Sequence, residues 1–116
     1  WASAFEPMNG TYAGRGVAIF KYTGGGSKGS ASDACAELVS DITRMLDNGN
    51  VAWQIGELGR LDLGGGGTIA YIMAEYGMNV IDSGVAVLSM HALWEVANKA
   101  DIYEAYRGYK AFIERA

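Results

Sequence analysis

Short apolar runs alternate along this chain with segments of helical periodicity, and this alternation restricts the fold more than any other feature. The apolar runs have strand length and lie between glycine or turn residues, which predicts strands at residues 17–22, 51–56, 78–82 and 85–89. Helical periodicity predicts helices at residues 34–48, at 68–76 and from beyond His91 to the end. This order is typical of an α/β domain in which helices pack on a mostly parallel sheet.

The first and the last helical segments have the clearest apolar stripes. In the first, the stripe consists of Ala34, Leu38, Ile42, Met45 and Leu46, at steps of three and four. Ser30 and Asp33 have the spacing of a capping box, which predicts the helix start there, and residues 48–50 form the stop. In the last, the stripe consists of Ile102, Ala105, Tyr106, Tyr109, Phe112 and Ile113. Together with Tyr103, this stripe predicts a packing face or a subunit contact.

Size and charge exclude several classes of protein. A chain of 116 residues, half of them hydrophobic, is large enough for one globular domain, and no internal repeat or second domain is visible. The formal net charge of -4, without any run of Lys or Arg, argues against nucleic acid and anionic membranes as partners. The longest apolar stretches are far below the roughly 20 residues of a membrane helix.

The only cysteine, Cys35, cannot form an internal disulfide, which favours a reducing compartment and a cytoplasmic location. Cys35 has no neighbouring base in the sequence, so we expect a buried small side chain rather than a nucleophile. The chain opens on Trp1 instead of Met. We therefore expect it to be a segment of a longer protein.

Two glycine blocks lie in loops that an α/β sheet would place at its ligand-binding edge. The first, at residues 24–26, precedes Lys28, but Lys28 is followed by Gly29 and does not complete a phosphate-binding loop. Either Lys21 or Lys28 provides positive charge to an anionic ligand, or the loop is simply solvated. The second block, at residues 64–67, indicates either a plain turn capped by Thr68 or a loop held close to a ligand.

His91 is the only histidine and thus the only imidazole available as a metal ligand or a proton switch. It directly follows a predicted strand, where this class of sheet presents its site, although a lone histidine is more often structural. One histidine cannot form a metal site alone. Five carboxylates could assist it, namely Asp33, Glu57, Asp62, Asp82 and Glu95. Of these, Asp33 and Glu95 are expected at helix starts and Asp82 beside a turn, where a structural role explains them.

Several short motifs also occur in a fixed order. They are residues 21–29 (KYTGGGSKG), 32–34 (SDA), 53–54 (WQ), 56–59 (GELG), 64–70 (GGGGTIA), 80–84 (VIDSG) and 88–91 (LSMH), followed by Glu95. In these motifs the chain from about Gly16 onward resembles the carboxy-terminal part of zinc aminopeptidases of the aspartyl aminopeptidase and vacuolar aminopeptidase I family. The ordered set is far more specific than any one motif.

The resemblance implies that residues 1–116 are the carboxy-terminal part of a larger three-layer α/β/α metallopeptidase domain. Such an enzyme removes amino-terminal residues from peptides with two zinc ions per active site and a Glu that acts as general base on a metal-bound water. The resemblance also implies a homo-oligomer. Its Met-His motif implies a zinc ligand at His91, and its substrate contacts correspond to Lys21, Gly66, Gly67, Thr68 and Met90.

The chain departs from the family in what it lacks. The remaining zinc ligands and the catalytic Glu belong to motifs upstream, so we expect no catalytic residue here and no activity of the isolated segment. Ala92 and Leu93 also replace the Ser-Pro that usually follows the zinc-binding histidine. Two other functions remain open. One is a small non-catalytic α/β domain that binds an anionic ligand through its glycine-rich loops, and the other is a segment that only packs against a partner chain.

Overall fold

A computed structural model describes residues 11–20, 22–23, 32–56 and 69–115. Ten elements follow one another in these ranges. They are β1 (Val17–Phe20), β2 (Tyr22–Thr23), β3 (Ser32–Asp33), α1 (Ala36–Asn48), β4 (Trp53–Ile55), α2 (Ala70–Ala74), β5 (Asp82–Gly84), β6 (Val87–Leu88), β7 (Val96–Ala97) and α3 (Lys99–Arg115). The predicted α/β class is thus confirmed. None of the helices in these ranges is both long and apolar enough to cross a bilayer.

The central sheet has the order β4-β1-β5 and is mixed. β1 runs parallel to β4 and antiparallel to β5, so the prediction of a mostly parallel sheet holds for only one of the two pairings. Two further pairs, β2 with β3 and β6 with β7, are short antiparallel hairpins. The predicted strands are shorter than expected because parts of the apolar runs lie outside any ladder. Residues 78–81, for example, precede β5 instead of belonging to it.

The core lies where β1 meets α1 and α3. Its buried members are Val17, Ile19, Met45, Leu46, Val51 and Ala105. Val17 and Ile19 are two positions apart on β1 and therefore point to the same face of the sheet, towards the helices. Ile19 is 1% exposed, which makes it the largest fully buried apolar side chain in the described ranges.

Helix α1 confirms the predicted apolar stripe and corrects its start. Met45 and Leu46 are buried, and Ile42 packs partly buried against them. The capping box predicted at Ser30 and Asp33 is wrong, because Asp33 belongs to β3 and the helix begins after Cys35, which has extended backbone and no side-chain cap. The stop is where the sequence predicts it, since Asn50 adopts a left-handed φ of 50° and its N–H donates to the carbonyl of Asp47.

Helix α3 confirms the predicted stripe at Ala105 and corrects it at the large side chains. Its buried residues are Asp101, Ala105 and Gly108, so the helix approaches α1 through small side chains. A Cβ at Gly108 would lie 3.2 Å from Cδ2 of Leu46, which shows how close that approach is. The large residues of the predicted stripe are half or more exposed, namely Ile102, Tyr106, Tyr109, Phe112 and Ile113. Of these, Tyr109 and Phe112 also line the space between the helices and the sheet.

A buried carboxylate ties the start of α3 to the chain that enters β1. Asp101 is 1% exposed, and its two carboxylate oxygens accept the main-chain N–H groups of Gly14 at 2.7 Å and Gly16 at 2.8 Å. Both glycines have left-handed φ angles, 87° and 88°, which turn their N–H groups towards one acceptor. Asp101 lies in the first turn of α3, where a negative charge is favourable.

Candidate functional site

The predicted zinc-ligand motif lies in a loop closed by a short hairpin. β6 and β7 pair with Val87 opposite Ala97 and Leu88 opposite Val96, so that residues 89–95 form the connection between them. We call these residues the 89–95 loop. The sequence predicts a helix soon after His91, but the chain first returns as β7, and α3 begins only at Lys99.

Two hydrogen bonds shape the first half of the 89–95 loop. The N–H of Ala92 donates to the carbonyl of Ser89 at 2.9 Å and closes a tight turn. The N–H of His91 donates to Oε1 of Glu95 at 2.6 Å across the loop. Ser89 and His91 have φ angles of 59° and 69°. For residues with a Cβ, a left-handed backbone costs about 1–2 kcal/mol each, and such strain concentrates at functional sites.

The side chains of the motif face solvent. Met90 is 62% exposed and His91 is exposed. The contact between His91 and Glu95 uses the main chain of His91, which leaves the imidazole without a hydrogen-bond partner among the described residues. An imidazole with both ring nitrogens available fits zinc as one ligand. The 89–95 loop thus presents an exposed methionine and an exposed histidine at consecutive positions of a constrained backbone.

The described residues supply no more than this one imidazole towards a metal. A zinc site takes three or four protein ligands, and no group of three or more His, Cys, Asp or Glu side chains comes together within the described ranges. Asp82 lies in β5, paired opposite Phe20, rather than beside a turn. Glu95 is not at a helix start as predicted, because it precedes β7 and its carboxylate binds the main chain of His91.

The remaining predicted site residues are not part of the described structure. Lys21, Gly66, Gly67 and Thr68 all lie outside the described residues, as do Lys28 and both glycine blocks. Their proposed roles therefore stay predictions. Cys35 is described, and the expectation that it is buried is wrong, because its side chain is exposed at the start of α1.

The sequence does not indicate Asp101 as an important carboxylate, and it indicates Glu95 without the contact that Glu95 makes. Asp101 has no motif of its own, although a Gly-x-Gly turn can form a nest of N–H groups for an anion. The sequence predicts Glu95 as a carboxylate that could assist His91, but not its hydrogen bond to the main chain of His91. The spacing of four between them is the signal that points to a bond across a turn.

An apolar cavity of about 210 Å³ lies between the sheet and the two long helices. It is lined by residues of β1, α1 and α3, including Ile19, Met45 and Phe112, together with Ile81 and Ser83. No residue of the 89–95 loop lines it. The cavity is therefore separate from the candidate zinc ligand, and its lining suits an apolar side chain better than a polar substrate.

The chain is similar to known aminopeptidases over nearly its whole length. The profile of the family described as aminopeptidase I zinc metalloprotease (M18) matches residues 1–113. A probable M18 family aminopeptidase 1 of Clostridium acetobutylicum is 51% identical over 113 residues, which cover 97% of this chain and 24% of that protein. One from Thermotoga maritima is 46% identical over 107 residues, or 92% of this chain and 24% of that protein.

Solved structures of aminopeptidases are also similar to this chain in fold. The crystal structure of aminopeptidase I from Clostridium acetobutylicum superposes with a TM-score of 0.86 at 52% identity, covering 97% of this chain and 25% of that one. The M18 family aminopeptidase from Thermotoga maritima superposes with a TM-score of 0.88 at 42% identity, again covering 97% of this chain and 25% of that one. The chain belongs to the aminopeptidase I zinc metalloprotease family, M18. It spans about a quarter of the length of the curated relatives that it matches.

Proposed function

We propose that this chain is the carboxy-terminal part of a metallo-aminopeptidase catalytic domain and that it contributes one zinc ligand, His91. The complete protein would remove amino-terminal residues from peptides with two zinc ions per active site, and the chain alone would be inactive. Bound zinc would supply Lewis-acid activation of water and of the peptide carbonyl. The observation that carries the proposal is the exposed imidazole of His91, held on a left-handed backbone within a family of zinc metalloproteases.

The chain's own residues would then bind and orient. His91 would hold the metal through its ring, since its main-chain N–H is already bonded to Glu95. Met90 lies next to it with an exposed side chain and would contact the substrate. Gly66, Gly67 and Thr68 would line the same cleft, and Lys21 would lie near the pocket for the substrate's first side chain. No general base is assigned to this chain.

The rest of the catalytic domain is the partner that this proposal requires. The relatives are about four times as long as their match to this chain, so most of each lies outside it. The exposed face of α3 carries aromatic side chains such as Tyr103 (60% exposed) and Tyr106 (59% exposed). An apolar surface of this kind is typical of an interface. We propose that the upstream part of a three-layer α/β/α domain covers it, and that the whole protein is a cytoplasmic homo-oligomer.

The test is made in the full-length protein with the variant His91→Asn. Asparagine tolerates a left-handed backbone, so the substitution removes the imidazole and leaves the shape of the loop. Ser89→Asn is the matched control, because Ser89 has a φ of 59° in the same loop and offers no imidazole. Zinc content and hydrolysis of leucyl and aspartyl peptides are measured for the wild type and both variants.

We expect His91→Asn to lose zinc and turnover, while Ser89→Asn keeps both. If His91→Asn retains the zinc content and activity of the wild type, His91 is structural and the ligand assignment is wrong. If the wild-type protein binds no zinc and cleaves neither peptide, the aminopeptidase proposal itself is wrong. Circular dichroism of each variant confirms that the fold is intact.

A further inference from the structure

We infer that Glu95 is a positioning residue for His91: its carboxylate holds the main chain of the zinc ligand in the left-handed conformation that aims the imidazole. This inference rests on the proposed function of His91. It assigns Glu95 no contact with zinc or substrate. Its role would be to fix the ring in place before the metal binds.

The geometry of the 89–95 loop carries the inference. The hairpin ladder ends at Leu88 and Val96, so the loop between them has to hold its own shape. Within the described residues, the hydrogen bond from the His91 N–H to Glu95 Oε1, at 2.6 Å, is the contact that spans the loop. The other, from Ala92 to Ser89, closes only the turn itself.

The backbone at His91 explains why such a contact is needed. Its φ of 69° lies in a region that residues with a Cβ rarely adopt, and Ser89, two residues earlier, has a φ of 59°. Without a partner for the His91 N–H, this turn would relax towards the more favourable right-handed or extended conformations. The Cα–Cβ bond of His91 would then point elsewhere, and the ring with it.

The chemistry of the contact suits a positioning role. A carboxylate accepts an N–H more strongly than a neutral oxygen does, which explains how an exposed side chain can order a strained loop. The bond occupies the main chain of His91 and not its ring, so both imidazole nitrogens stay available. Residues that orient metal ligands without touching the metal typically change metal affinity by 10–100-fold when they are removed.

The test uses Glu95→Ala, Glu95→Gln and a matched control in the full-length protein. Glu95→Gln keeps an oxygen acceptor at the same distance along the side chain, whereas Glu95→Ala removes it. Glu114→Ala serves as the control, because Glu114 is an exposed carboxylate on α3 whose described partner is Lys110, 3.7 Å away. Two quantities are measured: zinc affinity by competition with a chelator, and hydrogen exchange of the 89–95 peptide in metal-free protein.

We expect Glu95→Ala to weaken the affinity for zinc by about tenfold or more and to accelerate exchange in the 89–95 loop. Glu95→Gln should restore part of both, because it keeps an oxygen acceptor but loses the charge, and Glu114→Ala should change neither. The inference is overturned if Glu95→Ala leaves the exchange as in the wild type. It is equally overturned if exchange accelerates while zinc affinity stays the same, or if Gln fails to rescue.

The two proposals can fail separately. If His91→Asn keeps its zinc, the ligand assignment is wrong, and the positioning role falls with it. If His91→Asn loses zinc but Glu95→Ala binds it like the wild type, only the role of Glu95 is wrong. The exchange measurement in metal-free protein reports on the loop independently of activity.

Discussion

The substitution Asp101→Asn tests the contact that joins α3 to the entry of β1. The side chain of Asp101 is 1% exposed, and its two oxygens accept N–H groups from Gly14 and Gly16 at 2.7 and 2.8 Å. Asparagine has the same shape but only one acceptor oxygen. One glycine N–H would therefore face an amide NH₂ group, which is also a donor.

The expected destabilisation follows from these two bonds. An unsatisfied buried donor costs about 1–3 kcal/mol, and the loss of charge from the remaining bond costs about 1 kcal/mol more. Together they amount to about 2–4 kcal/mol. Because every 1.4 kcal/mol corresponds to a factor of ten, local opening at residues 12–20 should become roughly 30- to 700-fold more frequent.

Hydrogen exchange of the peptide that covers residues 12–20 measures this effect in the full-length protein. Asp41→Asn is a suitable control, since Asp41 is an exposed carboxylate on α1 that pairs with Arg44 at the surface. We expect hydrogen exchange to be faster in Asp101→Asn than in the wild type and unchanged in the control. If both variants exchange like the wild type, Asp101 does not hold the two glycines, and the account of how α3 is anchored is wrong.

Two further substitutions test the packing of the fold. Gly16→Ala should destabilise the full-length protein by at least about 2 kcal/mol, because its Cβ would lie 2.0 Å from the carbonyl oxygen of Ala52. The control Gly77→Ala should cost only about 1 kcal/mol, because Gly77 is also left-handed but a Cβ there would have nothing within 4 Å. Equal urea midpoints for the two variants would contradict this prediction. Ile113→Ser should lower the stability of the full-length protein by about 1–2 kcal/mol if the outer face of α3 is covered, whereas Lys110→Ser on the same helix should not. Unchanged thermal unfolding of Ile113→Ser would show that this face is open to solvent.

The sequence predicts α1 well and α3 less well, for a physical reason. On α1 the large apolar residues are also the buried ones, so periodicity and packing agree at Met45 and Leu46. On α3 the buried positions carry Asp101, Ala105 and Gly108, whose hydrophobicity is low. A periodic pattern reflects side-chain size and apolarity, so on α3 it points to the aromatic residues. Small residues that permit close approach carry little signal in such a pattern.

The same contrast applies to the candidate site. The position of His91 after a strand-like run could be predicted, because β6 ends at Leu88 just before it. The return of the chain as β7 could not, since Val96 and Ala97 have no alternating pattern and pair only through the hairpin. The role of Glu95 depends on that return. A carboxylate is brought back onto the His91 N–H only when the chain reverses direction at this point.

The outer face of α3 and the 89–95 loop lead to one conclusion about how this chain is stabilised. The inner side of α3 is anchored within this chain, because the buried Asp101 has its N–H partners and Ala105 and Gly108 lie against the core. The outer side carries Tyr103 and Ile113 at 60% and 72% exposure, more apolar surface than a helix of an independent domain normally shows. His91 likewise has a constrained backbone and an unused ring. Both features are preorganised on this chain and lack their counterparts within the described residues, which is the arrangement expected if one partner, the remainder of the catalytic domain, covers the helix and completes the zinc site.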